Sequence, residues 1–330
     1  MKKSIITLAV VASMAASTAA LAEPKVYGNI HLSVQQFDKD TGTEGAGTNG
    51  ELNMTSNTSA LGVKGSEDLG DGMKAIYKVE FQLDATGGSG NGDALTQRDV
   101  FVGLKGGFGT VKFGAMSSNY KQKGGQVDAL YRTPAEGRGF IQTQSRLHNG
   151  RATNRGRMTN TLAYTTPKMG GVELVANTTF SDSKDETVGL GLRWSNKNIL
   201  AFFDYIDTVP GGDAVVTANT TTETAYKVGG KFSAKSSFVG GQYESAEDVT
   251  GNDYIHVNAG YLINKNNIIT ATYGTASHVT SSALDTTGMA LAYDHKLSKM
   301  TDVYVAYVDR SSDTASKEDS AYSFGIRKKF

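Results

Sequence analysis

The chain has 330 residues, with 33 basic and 33 acidic side chains and no cysteine. This length allows one large β domain or two ordinary domains, and the balanced charge gives no indication of a nucleic-acid partner. The absence of cysteine excludes disulfide frameworks and thiolate metal sites. Glycine is abundant (39) and proline rare (4), while tyrosine (15) and phenylalanine (13) far outnumber tryptophan (1). This composition is typical of a sheet with many turns and aromatic girdles.

Residues 1–22 have the pattern of a secretory signal peptide. Lys2 and Lys3 form a basic start, residues 5–16 a short apolar run, and Ala20-Leu21-Ala22 a small-x-small cleavage site. We therefore expect export and removal of this segment, leaving residues 23–330 as the folded domain with a net charge of about −2. The alternative is an N-terminal membrane anchor, which the shortness of the apolar run disfavours. No later stretch approaches the ~18–20 apolar residues of a transmembrane helix.

Short stretches in which apolar and polar residues alternate fill most of the remaining chain. In residues 73–84 one face carries Met73, Ala75, Tyr77, Val79, Phe81 and Leu83, and the other carries Lys74, Lys78, Glu80, Gln82 and Asp84. Such alternation predicts strands with one apolar and one polar face. The alternation is weaker in residues 199–207 and 301–310, where both faces are apolar. Helical periodicity is missing apart from the signal peptide and at most a turn within one long connection.

The connections between these stretches alternate in length. Short ones cover residues 68–72, 106–109, 167–171, 195–198, 234–235, 264–266 and 298–300, whereas longer polar ones cover 38–53, 85–95, 116–157, 208–221, 246–251, 278–284 and 311–319. A brief connection at 182–184 breaks the rule. Counting the stretches predicts sixteen strands, at about 19 residues for each strand and its connection. The expected fold is all-β: a transmembrane antiparallel β-barrel with tight periplasmic turns and longer outer loops.

A soluble β-sandwich would also alternate. Two observations disfavour it: the polar face carries charges that a dry core would not accept unpaired, and sixteen strands exceed the usual number for one sandwich. A β chain that spans lipid must close into a barrel, because every backbone group has to be paired. A barrel of sixteen strands leaves a water-filled lumen in which Lys, Glu and Arg side chains are tolerated.

Residues 116–157 form one long, basic segment without periodicity. It contains eight cationic residues and only two acids, Asp128 and Glu136. A connection of this length within regular β structure is functional or disordered. We interpret it as a loop that folds into the lumen and sets the size and charge of a pore; the alternative is a basic surface loop.

The sequence resembles the Gram-negative general porin family. The resemblance rests on Tyr27-Gly28, on residues 61–70 (LGVKGSEDLG), on residues 98–104 (RDVFVGL) with 107–111 (GFGTV), on the long third loop and on the terminal Phe330. It implies a homotrimer of sixteen-stranded barrels in the outer membrane, in contact with lipid and lipopolysaccharide. It also implies an inward third loop and passive diffusion of ions and small hydrophilic solutes.

The chain departs from the family at the positions that usually set the transverse field. Arg98 matches one wall arginine, but Ala60 and Ala115 stand where family members often carry others. Residues 134–140 (PAEGRGF) only approximate the usual Pro-Glu-Phe-Gly-Gly turn. Most of the positive charge therefore lies in the loop itself.

Selectivity in a pore depends on its diameter and on the charges at its narrowest ring. The predicted constriction residues are Arg98, Lys121, Lys123, Asp128, Arg132, Glu136, Arg138, Arg146, Arg151, Arg155 and Arg157. We expect about half of them to face the pore, with Arg132, Glu136 and Arg138 as first choices, and a mild preference for anions. The alternative is a weakly selective pore whose loop arginines pair with inward acids such as Glu80, Asp84 and Glu173.

Other functions find less support in the sequence. The five histidines lack the spacing of a zinc site, and no Gly-x-Ser-x-Gly elbow occurs, so no metal, cofactor or catalytic residue is predicted. We interpret the acidic clusters at 67–68 and 182–186 as solvated turns. The rival functions are a substrate-specific channel for an anion, sugar or amino acid, and less so a barrel enzyme or an adhesin.

Overall fold

The computed structural model describes residues 23–39, 50–87, 94–149, 156–180, 187–208, 223–313 and 317–330. The predicted signal peptide and the connection at 182–184 lie outside these ranges. The elements, in chain order, are β1 (Lys25–Lys39), β2 (Leu52–Ser56 and Ala60–Gly70), β3 (Met73–Leu83), β4 (Leu95–Gly106), β5 (Gly109–Ser117), α1 (Asn119–Val127), a 3₁₀ turn (Arg146–His148), β6 (Arg157–Thr165), β7 (Val172–Thr179), β8 (Val188–Ser195), β9 (Ile199–Thr208), β10 (Glu223–Ser233), β11 (Ser237–Ala246), α2 (Glu247–Thr250), β12 (Asn252–Asn264), β13 (Asn267–His278), a 3₁₀ turn (Ser282–Leu284), β14 (Thr286–Lys296), β15 (Thr301–Ser312) and β16 (Lys317–Lys329).

These strands form one closed antiparallel barrel, in which each strand pairs with its neighbours in sequence. The two segments of β2 both pair with the same edge of β1, so they are one strand interrupted at residues 57–59. Strand β16 closes the barrel against β1, with Asn29 opposite Lys329 and Gln35 opposite Ser323. The prediction of a sixteen-stranded antiparallel barrel is confirmed.

The outward face of the barrel is apolar. Val102, Leu104 and Phe113 on β4 and β5 are 58%, 45% and 50% exposed, as lipid-facing side chains of a single barrel must be. Outward aromatic residues lie towards both ends: Tyr226, Tyr243 and Tyr322 near the long connections, and Tyr164, Phe232 and Tyr261 near the short turns. Among the described residues, no helix has the length and apolarity needed to cross a membrane.

Residues 118–149, here called the inner segment, pack against the inward face of the barrel. They are more ordered than expected, because α1 is a nine-residue helix where the sequence indicated at most one turn. The strands also extend further than predicted: Met116 and Ser117 belong to β5, and Arg157 opens β6. Arg157 is thus a residue of the barrel wall rather than of the loop.

Two apolar clusters hold the inner segment to the wall. In the first, Leu130 and Ile141 pack on Tyr304 and Val308 of β15. In the second, Tyr120 and Leu147 pack on Ile206 of β9 and on small inward residues of neighbouring strands. This contact explains why residues 199–207 and 301–310 look apolar on both faces: one face meets lipid and the other meets the inner segment.

The closure seam makes one close approach that depends on glycine. Gly28 and Phe330 exchange two backbone hydrogen bonds of 3.1 Å. A Cβ at Gly28 would lie 2.5 Å from the Phe330 ring and 2.5 Å from the Ala60 carbonyl oxygen. The terminal phenylalanine therefore fills space that only glycine leaves on β1.

We predict that Gly28→Ala destabilises the folded barrel by about 1–3 kcal/mol, because the added methyl group overpacks the seam. Urea unfolding of the detergent-solubilised protein measures the change. Gly107→Ala is the matched control, since a Cβ at Gly107 has no atom within 4 Å. Equal unfolding midpoints for the two variants would contradict this account of the seam.

Candidate functional site

The start of the inner segment is fixed by hydrogen bonds to three strands. The Ser118 hydroxyl caps α1 by accepting from the Lys121 amide at 3.2 Å. The Asn119 amide donates to the Asn177 side-chain oxygen at 2.9 Å, and the Asn119 side chain donates to Asp204 at 3.1 Å. Arg193 donates to the Asn119 carbonyl oxygen at 3.2 Å. Wall residues of β7, β8 and β9 thereby set the position of the helix.

A second anchor is built from charged groups that are fully buried. The Lys227 ammonium of β10 donates to the Tyr120 carbonyl oxygen and, at 2.8 Å, to His148 Nε2. The Glu244 carboxylate of β11 accepts from the Ser145 amide at 3.1 Å and from the Ser145 hydroxyl. Burial lowers the pKa of His148 well below its ordinary value, and the neighbouring Lys227 lowers it further, so the imidazole is neutral and can accept.

A third anchor lies at the turn that follows α1. Asp128 is 3% exposed, and its carboxylate accepts from the backbone amides of Leu130 at 3.0 Å and Gly137 at 2.8 Å. Burial raises the pKa of Asp128 to about 7, and the nearby Glu136 contributes to the rise. Thr143 also binds the His256 ring at 2.8 Å. Asp128 thus shapes the segment from within and does not face the lumen.

Tyr131, Arg132, Glu136 and Arg138 lie together at one edge of the inner segment, here called its free edge, where Arg132 is partly exposed but the Arg138 side chain is only 5% exposed and donates to the His148 carbonyl oxygen. Glu136 accepts from the Arg132 backbone amide at 2.8 Å and from the Arg138 side chain at 2.7 Å. Both guanidinium groups lie over the Tyr131 ring, at 5.4 Å from its centroid for Arg132 and 4.9 Å for Arg138. Arg132 has a φ of 67°, a left-handed backbone that the Glu136 hydrogen bond helps to hold.

The wall near this edge carries its own network of charges. Arg98 pairs with Glu80 at 2.6 Å, and Lys78 bridges Glu80 and Asp99, at 3.0 Å from each. Arg157 pairs with Asp99 at 3.0 Å. Glu80 is therefore neutralised by the wall, and the alternative in which it pairs with loop arginines does not hold for this acid.

Together, the edge and the wall concentrate positive charge. The cationic groups Lys78, Arg98, Lys121, Arg132, Arg138 and Arg157 stand against the carboxylates Glu80, Asp99 and Glu136. Burial lowers the pKa of Lys121 well below its usual range, and Arg138, Arg157 and Arg98 lower it further. Within the described ranges, neither Lys121 nor Arg132 has a carboxylate at ion-pair distance.

The other predicted constriction residues lie elsewhere. Lys123 donates to Gln126 at 3.1 Å and is close to Arg193 and Glu173, on the side of the short turns. Arg146 is exposed and lies near Tyr254, towards the long connections. Arg151 and Arg155 fall outside the described residues.

The predicted constriction residues did not include Lys78 and Asp99. Alternation placed Lys78 on the polar face of β3 without assigning it to the constriction. Asp99 was hidden because a register shift between Val79 and Phe81 breaks the alternation of the paired strand β4. The acidic pair at 67–68 binds its own turn: Asp68 accepts from the Gly70 amide at 2.9 Å. The cluster at 182–186 lies outside the described ranges.

Comparison with known proteins adds a family and several relatives. A family model described as Gram-negative porin matches residues 7–315. Major outer membrane protein P.IB of Neisseria gonorrhoeae is 37% identical over 134 residues, covering 39% of this chain and 36% of that protein. Outer membrane porin protein 32 of Delftia acidovorans is 34% identical over 200 residues, covering 58% of this chain and 52% of that protein. The chain thus spans about a third to a half of the length of these relatives.

Solved structures show the same fold at lower identity. An anion-selective porin from Comamonas acidovorans superposes with a TM-score of 0.79 at 20% identity, covering 94% of this chain and 100% of that chain. The in-vitro folded OmpT of Vibrio cholerae in its trimer form gives a TM-score of 0.71 at 16% identity, covering 94% and 99%.

We predict that Lys227→Met loosens the inner segment. The substitution removes two hydrogen bonds and leaves Glu244 buried without its nearby cation, a change that costs about 3–5 kcal/mol. Trypsin should then cleave within residues 118–149 at least tenfold faster, as mapped by mass spectrometry. Lys235→Met, in the exposed turn between β10 and β11, is the control. Equal cleavage rates in the two variants would contradict the anchoring role of Lys227.

Proposed function

We propose that this chain, which belongs to the Gram-negative porin family, is a general diffusion channel with a mild preference for anions. As a member of that family it is an outer-membrane β-barrel, and its relatives point to a channel rather than an enzyme. Ions and small hydrophilic solutes would cross passively through the space between the inner segment and the charged wall. The charges of the described residues support an anion preference, and we propose that this preference holds for the whole pore.

The observation that carries the selectivity is the position of Arg132. Its side chain is partly exposed at the free edge of the inner segment, and no carboxylate of the described residues lies at ion-pair distance from it. Arg98 on the wall is near enough to interact electrostatically with it. Among the described residues, Glu80, Asp99 and Glu136 are each already engaged by at least one cation. The uncompensated charge at this point is therefore positive.

A positive edge favours anions because the barrel wall and lipid have a low dielectric constant and focus the field on ions in the lumen. The preference stays mild for two reasons. Three carboxylates lie among the cations, and salt screens exposed charges over a Debye length of about 10 Å at 0.1 M. The superposition on the solved structure of an anion-selective porin supports the barrel that this mechanism needs. The proposed preference for anions rests on the charges of the present chain.

We also propose that the protein assembles as a homotrimer, with the apolar outward face in contact with lipid and lipopolysaccharide. Family membership and the continuous outward apolar band support this. Sedimentation equilibrium in detergent should give three chains per particle; a single chain per particle would contradict the proposal.

Arg132→Glu should lower the ratio of chloride to potassium permeability at least about fivefold, because the reversed charge adds about 1 kcal/mol of repulsion for a nearby anion and also attracts the cation. The reversal potential of the folded protein in a planar bilayer under a KCl gradient reports this ratio. Arg146→Glu is the matched control within the same segment and should change the ratio less. If Arg146→Glu had the larger effect, the narrowest ring would lie elsewhere.

A further inference from the structure

Part of the lumen wall beneath the inner segment is apolar and only partly covered by the described residues. Phe238 of β11 and Ile268 of β13 have the inward parity of their strands, since Val239 and Ile269 beside them point outward and are 53% and 41% exposed. Neither residue belongs to the two clusters that hold the inner segment. Both are only partly buried. A ligand that removed these apolar surfaces from water would gain free energy by doing so.

These residues line a cavity of about 220 Å³ beneath the inner segment, on the side of the short turns. Ala129 and Leu130 form its roof, and Tyr304 of β15 forms part of its wall. The lining is mixed: apolar and aromatic side chains are joined by two threonines and by the charged side chains of Lys231, Asp294, Lys296 and Arg327. That combination is typical of sites for small organic ligands.

The charged groups at the border of this cavity have a definite sign. The Lys231 ammonium lies 4.3 Å from the centroid of the Phe238 ring, and no carboxylate of the described residues is within ion-pair distance of it. Lys296, also in the lining, is exposed and equally lacks an ion-pair partner in the described ranges. Arg327 is already compensated, because it pairs with Asp294 and, at 2.5 Å, with Asp302. Three cations (Lys231, Lys296 and Arg327) stand against two carboxylates (Asp294, which also lines the cavity, and Asp302), so one net positive charge remains to receive a ligand's carboxylate.

We infer that this cavity is a weak binding site for small carboxylates that carry an apolar or aromatic body. The carboxylate meets Lys231 and Lys296, while the body covers Phe238 and Ile268 and removes their surfaces from water. A small ligand in a half-open cavity binds weakly, which suits a pore, because a solute must also be able to leave. The site is separate from the constriction around Arg132. It would favour organic carboxylates with an apolar body over chloride, whereas the charge at the constriction distinguishes only anions from cations.

Benzoate is the probe, and acetate is the matched ligand without the apolar body. In single-channel recordings in KCl, benzoate should reduce the chloride current at concentrations where acetate leaves it nearly unchanged. Lys231→Gln should weaken the benzoate block about tenfold, the loss expected for one charge-assisted contact. Phe238→Ala should weaken it several-fold.

The matched control is Lys112→Gln. Lys112 of β5 lies 5.1 Å from the centroid of the Phe101 ring, so it is a second lysine beside a phenylalanine, away from the cavity. Its loss should leave the benzoate block unchanged. A benzoate effect no larger than that of acetate would overturn the inference, as would a block that Lys231→Gln and Phe238→Ala leave intact or that Lys112→Gln weakens equally.

The inference rests on the proposed channel function only where the block of the chloride current is measured. Calorimetric titration of the folded protein in detergent with benzoate and acetate makes the same comparison of variants without any current. Benzoate heats that depend on Lys231 would support the site even if the protein conducted no ions. Conductance without selective benzoate binding would retain the channel and discard the site.

Discussion

The docking of the inner segment onto the barrel wall is the constraint on which the rest of the molecule depends. A backbone of 32 residues inside a water-filled barrel, counted from 118 to 149, has no sheet to pair with. Two apolar clusters provide the attraction, at about 1.5–3 kcal/mol for each large side chain fully buried. Buried polar contacts provide the register: Lys227 holds the Tyr120 carbonyl oxygen, and Glu244 holds Ser145. Burying charged groups such as Lys227 and Glu244 costs free energy unless each has a partner. The inner segment can therefore dock only in the position in which these partners meet.

That position decides which charges meet. Because the segment is anchored to β7–β12 and packs on β15, its free edge with Arg132 and Arg138 is presented towards Arg98 and Arg157 of the wall. The wall acids are engaged locally by lysine and arginine, and Glu136 is occupied by Arg138. The electric field at the edge therefore differs from that between a positive wall and a negative loop. Both the wall and the free edge carry net positive charge, and the acids mainly hold the neighbouring cations in position.

The fold could be predicted closely from the sequence, because strand period, turn length and the terminal Phe330 each report on local geometry. The candidate site could be predicted only in part. Arg132, Glu136 and Arg138, the first choices for the constriction, do lie together in the inner segment, and their place at the narrowest ring stays a prediction. Asp128 looked equivalent by charge, yet backbone amides draw it inward. The sequence did contain a signal for the docked segment: the inward faces of β9 and β15 are apolar. They are apolar because Ile206 and Tyr304 pack against the inner segment.

The central claim is that uncompensated positive charge at the free edge of the inner segment sets the preference of the pore. The most direct test is the reversal potential of the wild-type protein under a fixed KCl ratio, measured from about 0.1 M to about 1 M mean salt, over which the Debye length falls from about 10 Å to about 3 Å. The account predicts a reversal on the chloride side at low salt that moves towards zero as salt rises. A reversal on the potassium side at low salt would contradict it and would place the carboxylates in control of the pore.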